Sequence, residues 1–427
     1  MARHRSSANR QVTITYQLAN APAVVTLDIQ TNANTSAAAN DPGWTSIGGE
    51  FVCNAQGDVW KQVAAGNHTI TWQPDKSWTG DDGEGFKIEA NGARARVMAW
   101  PLDNTPDYMV VDVSAAAQPN TQKYYPAVGF LPGGLLGNQA YRTTSIVMRK
   151  IPAKGVAWTM GSSSLETQRD GSKEATHQVT LANNYYIGVF EVTQSQWALI
   201  QTSRPTPSFF SNLDYRAMRP VEQVCYNEIR NAANSTTADS DYNYPNPPKG
   251  GSFLGLLRTK TGMDFDLPSE AQWEFAARAG NGSPYWGTYG FGIQNTDADA
   301  NLAKIGRYQR NGGMINQSGT YTSPDANCGP NNGTAIVGSY QPNDWGLYDI
   351  FGNVWEWCLD TFSANISSLN GAVNTSGTDR IRRGGSWGNI AGPTRPAARY
   401  SRDPSARGEN SGGNIYGFRL ACTAGLD

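Results

Sequence analysis

Apolar and polar side chains alternate along residues 11–30, QVTITYQLANAPAVVTLDIQ, in two runs rich in Val, Ile and Thr that flank Asn20-Ala21-Pro22. A period of two with β-branched residues marks strands with one buried face, and the break between the runs predicts a β-hairpin. Similar short runs follow at 68–73 (HTITWQ), 85–89 (GFKIE), 94–100 (RARVMAW) and 108–114 (YMVVDVS), separated by clusters of Gly, Pro, Asp and Asn. That spacing predicts an all-β sandwich of the immunoglobulin-like kind over residues 1–115. Residues 116–145 turn to Ala, Pro, Gly and Asn without a sustained period, which predicts a linker.

From residue 146 to 427 the pattern changes to an α+β one. Strand-like pieces (IVMRKIPA, HQVTL, YYIGVFEVT) lead into two helical segments. In TQSQWALI, Thr193 stands as N-cap with Gln196 three residues on, the arrangement that satisfies two orphan amides at a helix start. In LPSEAQWEFAARAG, Ser269 and Gln272 repeat that box, Trp273, Ala276 and Ala277 fall on one helix face, and Gly280 supplies a left-handed stop. The rest of the chain is rich in Gly, Asn and Trp with little periodicity, so regular structure there is expected to be sparse and the loops ordered.

Composition narrows the possibilities. A chain of 427 residues exceeds one ordinary core and fits two domains. The 34 basic and 36 acidic side chains give a net charge of −2, so no basic stripe is available for nucleic acid. No run of 18 apolar residues is present, so direct membrane insertion is not expected, and MARHRSSANR does not read as a signal peptide. The low Lys content and the Asn, Gly and Thr richness still resemble secreted or cell-surface bacterial proteins. Cys53, Cys225, Cys328, Cys358 and Cys422 are odd in number and lack metal spacing, which leaves bridges and oligomeric state open. With 13 Trp and 19 Tyr, the fold is expected to rest on large aromatic side chains, among them Trp197, Trp273, Trp355, Trp357 and Trp387.

The series YYIGVFEVTQSQW, RPVEQVCYNE, LPSEAQWEFAARAG, YWG, GLYDIFGNVWEWCLD, RIRRGGSW, AARYSRDP and YGFRLA resembles the formylglycine-generating and sulfatase-modifying-factor superfamily. The resemblance implies a variant of the C-type lectin fold. The family's enzymes oxidise a cysteine to formylglycine with two cysteines after GGSW that bind Cu(I), a soft metal needing soft thiolates. Asn389 and Thr394 stand at those two positions, so no copper and no such catalysis are expected. A nonheme-iron branch takes histidine ligands from a helical domain. His4, His68 and His177 form no such pair, and His177 reads as a strand start. In GLYDIFGNVWEW the resemblance implies a structural Ca²⁺ held by Asp349, the carbonyls of Gly352 and Val354, and Glu356, hard oxygen donors that suit that ion. The alternative is that Glu356 pairs with an arginine and Asp349 caps a turn. A second family calcium site would involve Asn301, in a segment too altered to carry over.

The segment GGSWGNIAGPTRPAARYSRDPSARGENSGGNIYGFRLA keeps a frame of apparent scaffold residues: Gly384, Gly385, Ser386, Trp387, Ala391, Arg395, Ala397, Arg399, Pro404, Gly417, Phe418 and Arg419. That layout resembles the ligand-binding segment of variable proteins diversified by retroelements. It implies a binding face of Trp387, Gly388, Asn389, Ile390, Gly392, Pro393, Thr394, Ala398, Tyr400, Ser401, Arg402 and Asp403, with Tyr400 and Arg402 as anchors. No EPN or QPD triplet occurs in these loops, which favours a protein or peptide ligand over a sugar. The expectation is a non-catalytic binding protein. The competing readings are an oxidoreductase of the family, a nonheme-iron relative, and a cell-surface structural module.

Overall fold

The structure, a computed structural model, describes residues 11–19, 21–74, 92–232, 235–280, 299–312, 324–408 and 414–423. The strand expected at 85–89 and the motif YWG lie outside these residues. The chain divides into two compact units. One holds the residues up to Met109 together with Gln122–Gln139, and the other holds Val110–Thr121 together with Ala140–Ala424. The change of unit falls inside the strand Tyr108–Asp112.

The first unit is built from antiparallel strands, but the expected hairpin does not form. Val12–Leu18 pairs with Gly66–Trp72, whereas Ala23–Asn32 joins a different sheet beside Gly92–Trp100 and Lys61–Val63. The burial patterns explain the separation. Ala23–Asn32 is buried on both faces, with Val24, Val25 and Leu27 fully enclosed, so it takes a central place with a strand on either side. Val12–Leu18 keeps one face in solvent, and the Asn20-Ala21-Pro22 break lacks the Gly-containing pair that closes a tight two-residue turn. The expected linker is not loose either. Tyr124, Tyr125 and Leu131 are buried, and Tyr125 stacks on Trp60 at 5.3 Å between ring centroids.

In the second unit Ala421–Thr423, Tyr185–Gly188 and Ser145–Ile151 lie side by side, followed by Val110–Asp112. A second sheet runs in the order Tyr400–Arg402, Arg380–Arg383, Trp355–Thr361, Tyr416–Gly417, and Ala157–Met160 pairs with His177–Thr180. Both expected helices are present as Gln194–Ile200 and Glu270–Arg278, each with its complete capping box. The left-handed stop of the latter begins one residue early, at Ala279 (φ +51°), ahead of Gly280 (φ +76°).

A third helix, Phe253–Thr261, was not expected from the pattern because Gly255 interrupts it. A Cβ at Gly255 would sit 2.0 Å from the Lys249 carbonyl oxygen, so glycine is required by that close approach rather than by helix preference. Trp197, Trp273, Trp355, Trp357 and Trp387 are all buried, and the core around Trp273 also gathers Tyr185, Phe275, Tyr308, Phe351 and Cys358. Among the described residues no helix is long and apolar enough to cross a membrane.

Because Ser269 Oγ accepts from the Gln272 amide at 3.1 Å, Ser269→Ala should lower stability by about 1 kcal/mol in urea unfolding without changing the denaturant slope.

Candidate functional site

The strand Arg380–Arg383 runs into Gly384 (φ +89°) and Gly385 (φ +72°), which turn the chain into the segment after GGSW. A Cβ on Gly385 would lie 2.6 Å from Thr394 Cγ2, so this turn and Thr394 are fitted to each other. Ser386 Oγ donates to Asn389 Oδ1 at 2.6 Å and accepts from the Gly388 amide at 3.3 Å. The Trp387 indole donates to the Asn414 carbonyl at 2.8 Å, and its ring meets Phe210 edge-on at 5.2 Å. Thr394 Oγ1 donates to the Ala391 carbonyl at 2.7 Å and closes the turn Gly392–Thr394.

Five arginines of the stretch 383–419 hold it down, each on a buried carboxylate from elsewhere in the chain. Arg383 pairs with Glu274 and lies 3.4 Å from Glu270. It also donates to the carbonyls of Pro396, Ala397 and Ala398. Arg395 reaches Glu166 and Glu174, each at 2.8 Å. Arg399 grips Glu270 with two bonds of 2.7 and 2.8 Å, and Arg407 pairs with Glu228 at 2.6 Å. Arg419 forks onto Glu356 with two bonds of 2.6 Å. Paired planar forks of this kind add direction as well as energy.

Exposure divides the expected face. Gly388, Asn389, Ile390, Pro393, Tyr400, Ser401 and Arg402 are half-buried, and Asp403 is exposed. Trp387, Gly392, Thr394 and Ala398 are buried, which corrects their assignment to a displayed surface. Trp387 and Thr394 are committed to the bonds above. Gly392 lies under the Gln168 side chain, and the Ala398 amide is bonded to Arg395 O. Tyr400 packs on Trp355 at 4.9 Å, with the Lys173 ammonium 4.8 Å from its ring. Lys173, Glu166, Gln168 and Glu174 escaped sequence reasoning because they lie more than 200 positions from the segment they contact. Nothing local marks them.

Thiol chemistry has no foothold at this segment. Thr394 and Asn389 offer an alcohol and an amide, both already hydrogen-bonded. All five cysteines are unbridged. Burial pushes the Cys225 and Cys422 thiols up to about 12 and Cys358 well above the usual range, so they stay protonated and poorly nucleophilic.

The loop Asp349–Glu356 turns through left-handed backbone, with Asp349, Gly352 and Asn353 at φ +54°, +92° and +59°. Asp349 Oδ2 accepts from the Gly338 amide at 2.6 Å, while Oδ1 is buried without a hydrogen-bond partner. Glu356 is already engaged: Oε2 accepts from Arg419 and from the Trp273 indole, and Oε1 from Arg419, all at 2.6 Å. The arginine pairing left open by the sequence is therefore present. Burial, with Glu356 nearby, raises the Asp349 carboxyl to about 6, against the Gly338 amide and Arg419. Burial and then Asp349 and Glu356 raise Glu191 as well.

Among the described residues no three His, Cys, Asp or Glu side chains form a group that could hold a metal. A hard cation would therefore depend on the orphaned Asp349 oxygen and the carbonyls of Gly352 and Val354, with Glu356 offering at most its remaining lone pair. Those donors fit Ca²⁺ in kind, and the excess of buried carboxylates over Arg419 favours added positive charge.

The sulfatase-modifying factor enzyme 1-like domain matches residues 144–424. The chain belongs to that family. It is 36% identical over 169 residues to a formylglycine-generating enzyme of Streptomyces coelicolor, covering 38% of this chain and 47% of that relative, so it spans about half of that relative's length. It is 30% identical to the chaperone protein LppX of Paenibacillus barcinonensis, covering 51% of this chain and 73% of that one. The solved structure of Treponema denticola variable protein 1 is 25% identical and covers 66% of this chain and 96% of that one, with a TM-score of 0.46.

Within this sulfatase-modifying-factor domain, the anchor network has its own pH signature. Asp360 accepts from the amides of Glu270 (2.6 Å) and Asn374 (2.9 Å), yet burial, reinforced by the Glu270 carboxylate, raises its carboxyl to about 7. An acid whose folded pKa lies above its unfolded value binds more protons folded, so its contribution to stability falls as pH rises from about 4 to 7. Wild-type stability should fall across that window relative to Asp360→Asn, measured by urea unfolding at each pH. A difference that stays constant with pH would contradict the assignment.

Proposed function

We propose that this protein is a non-catalytic binding protein that displays a loop-built face on a C-type-lectin-like, sulfatase-modifying-factor scaffold. The observation that carries this reading is the occupation of both thiol positions by Asn389 and a buried, hydrogen-bonded Thr394. Cu(I) needs thiolates, and neither group supplies one. The face is the partly exposed set Gly388, Asn389, Ile390, Pro393, Tyr400, Ser401, Arg402 and Asp403, flanked by Lys173.

A protein or peptide is the ligand class this face suits, because Tyr and Arg supply large, amphipathic contacts at low ordering cost and the loops around them are already held in place. The alternation of pinned and displayed positions also supports membership of the diversified variable proteins. In this reading the first unit is an immunoglobulin-like spacer, the protein works outside the cell or at its surface, and Ca²⁺ at the Asp349–Glu356 loop is structural.

The test incubates the purified full chain with Cu(I) and a cysteine-containing sulfatase peptide. No stoichiometric copper and no formylglycine should appear, and product at turnover rates would overturn the reading. For a peptide ligand selected against the wild-type chain, Arg402→Ala should weaken binding by about tenfold or more, as hot-spot arginines do, while unfolding shifts by under about 1 kcal/mol.

A further inference from the structure

The cation loop and the displayed segment are joined through one residue, Asn353, which uses all of its polar groups on four separate parts of the chain. Its amide donates to the Arg307 carbonyl at 2.8 Å, and its carbonyl accepts from the Trp387 amide at 2.9 Å. Its side-chain Nδ2 donates to Glu191 at 2.6 Å, and Oδ1 accepts from the Ala335 amide at 2.8 Å. The preceding amide, of Gly352, donates to the Gly384 carbonyl at 2.7 Å, so the loop meets the segment at both Gly384 and Trp387.

The planarity of the peptide bond makes these contacts mechanically linked to the cation donors. The Gly352 carbonyl, a candidate ligand, shares a rigid plane with the Asn353 N–H that binds Arg307. The Val354 carbonyl shares one with the Trp355 N–H, which donates to Ile415 at 2.7 Å. Turning either carbonyl toward a cation sets the orientation of these amides, and Asn353 passes that orientation to Trp387. Gly352 and Asn353, at φ +92° and +59°, are residue types that take a positive φ at little cost, so the turn is locally permitted and its contacts fix where its carbonyls point.

We propose that Asn353 couples the Asp349–Glu356 loop to the displayed segment, so that a divalent cation in the loop stiffens Gly384–Thr394 and readies the binding face. This rests on the binding-protein reading above and adds its regulation. Asn353 acts as a positioning residue: it touches neither the cation nor a ligand, and its side-chain bonds to Glu191 and Ala335 hold in place the peptide whose carbonyl takes the Trp387 amide.

The test uses the full chain with calcium chloride or with EDTA, reading hydrogen exchange of peptides covering 384–394 and, separately, calcium binding by calorimetry. Calcium should slow exchange in that segment about tenfold, the size of a typical coupling between sites. In Asn353→Gly, which accepts a positive φ while losing the side-chain bonds to Glu191 and Ala335, calcium should still bind but the exchange difference should fall below about twofold. Calcium binding without any change in exchange in the wild type, or an unchanged difference in Asn353→Gly, overturns the coupling and leaves the binding-protein reading intact. No calcium binding by the wild-type chain overturns the loop assignment and the coupling together, and copper-dependent turnover would remove the binding reading instead.

Discussion

Burying a guanidinium is tolerable only when its charge is paired, and that constraint organises the C-terminal third of this domain. Arg383, Arg395, Arg399, Arg407 and Arg419 each meet a carboxylate that is itself almost wholly shielded from water. Removing one partner of the fully buried Arg419–Glu356 pair costs about 3–5 kcal/mol, because the other charge is left buried without its counter-charge. Replacing both by apolar groups can be neutral, so the pairs are better understood as setting position than as adding net stability. Each arginine is held where its carboxylate partners stand. The loops between arginines therefore have fixed ends, although they contain little helix or strand.

Fixed ends allow the middle of each loop to change. Between Gly385 and Arg395 the chain makes a small turn around Ser386 and Asn389 and another around Ala391 and Thr394, and residues 388, 389, 390 and 393 reach partly into solvent. After Arg399 the strand Tyr400–Arg402 pairs with Arg380–Arg382 and leaves its side chains half-exposed. A surface of this kind is preorganised without depending on the identity of the residues it presents, which is a physical requirement for a scaffold that serves different ligands. The same pinning explains how the loss of both thiols leaves the fold intact, since the thiol positions are not among the anchors.

The sequence was most legible where a local rule governs. The capping boxes at Thr193 and Ser269 depend on residues three apart, and both helices start where those residues stand. The strand partners of Val12–Leu18 were not legible, because pairing depends on which strand is buried on both faces, a property of the whole sheet. The helix at Phe253 was obscured by Gly255, whose presence answers a tertiary contact with Lys249. At the site, Arg395, Arg399 and Arg419 stood out as scaffold and Glu356 as open to an arginine, but the carboxylates at Glu166, Glu174 and Glu270 carry no sequence signal of their pairing. Burial of Gly392, Thr394 and Ala398 was missed for a related reason: a short turn hides alternate residues without any period that a sequence pattern could reveal.

The central claim is the division of this segment into pinned and displayed positions, and a folding selection on two libraries tests it most directly. One library would randomise Gly388, Asn389, Ile390, Pro393, Ser401, Arg402 and Asp403 together, and the other Arg383, Arg395, Arg399 and Arg419, each read by protease resistance and thermal melting. The account predicts that most of the first library folds and melts within about 5 °C of the parent, a shift of roughly 1–2 kcal/mol for a domain of this size, while almost none of the second folds. Equal losses in the two libraries would contradict it, since the displayed residues would then be as much a part of the scaffold as the arginines.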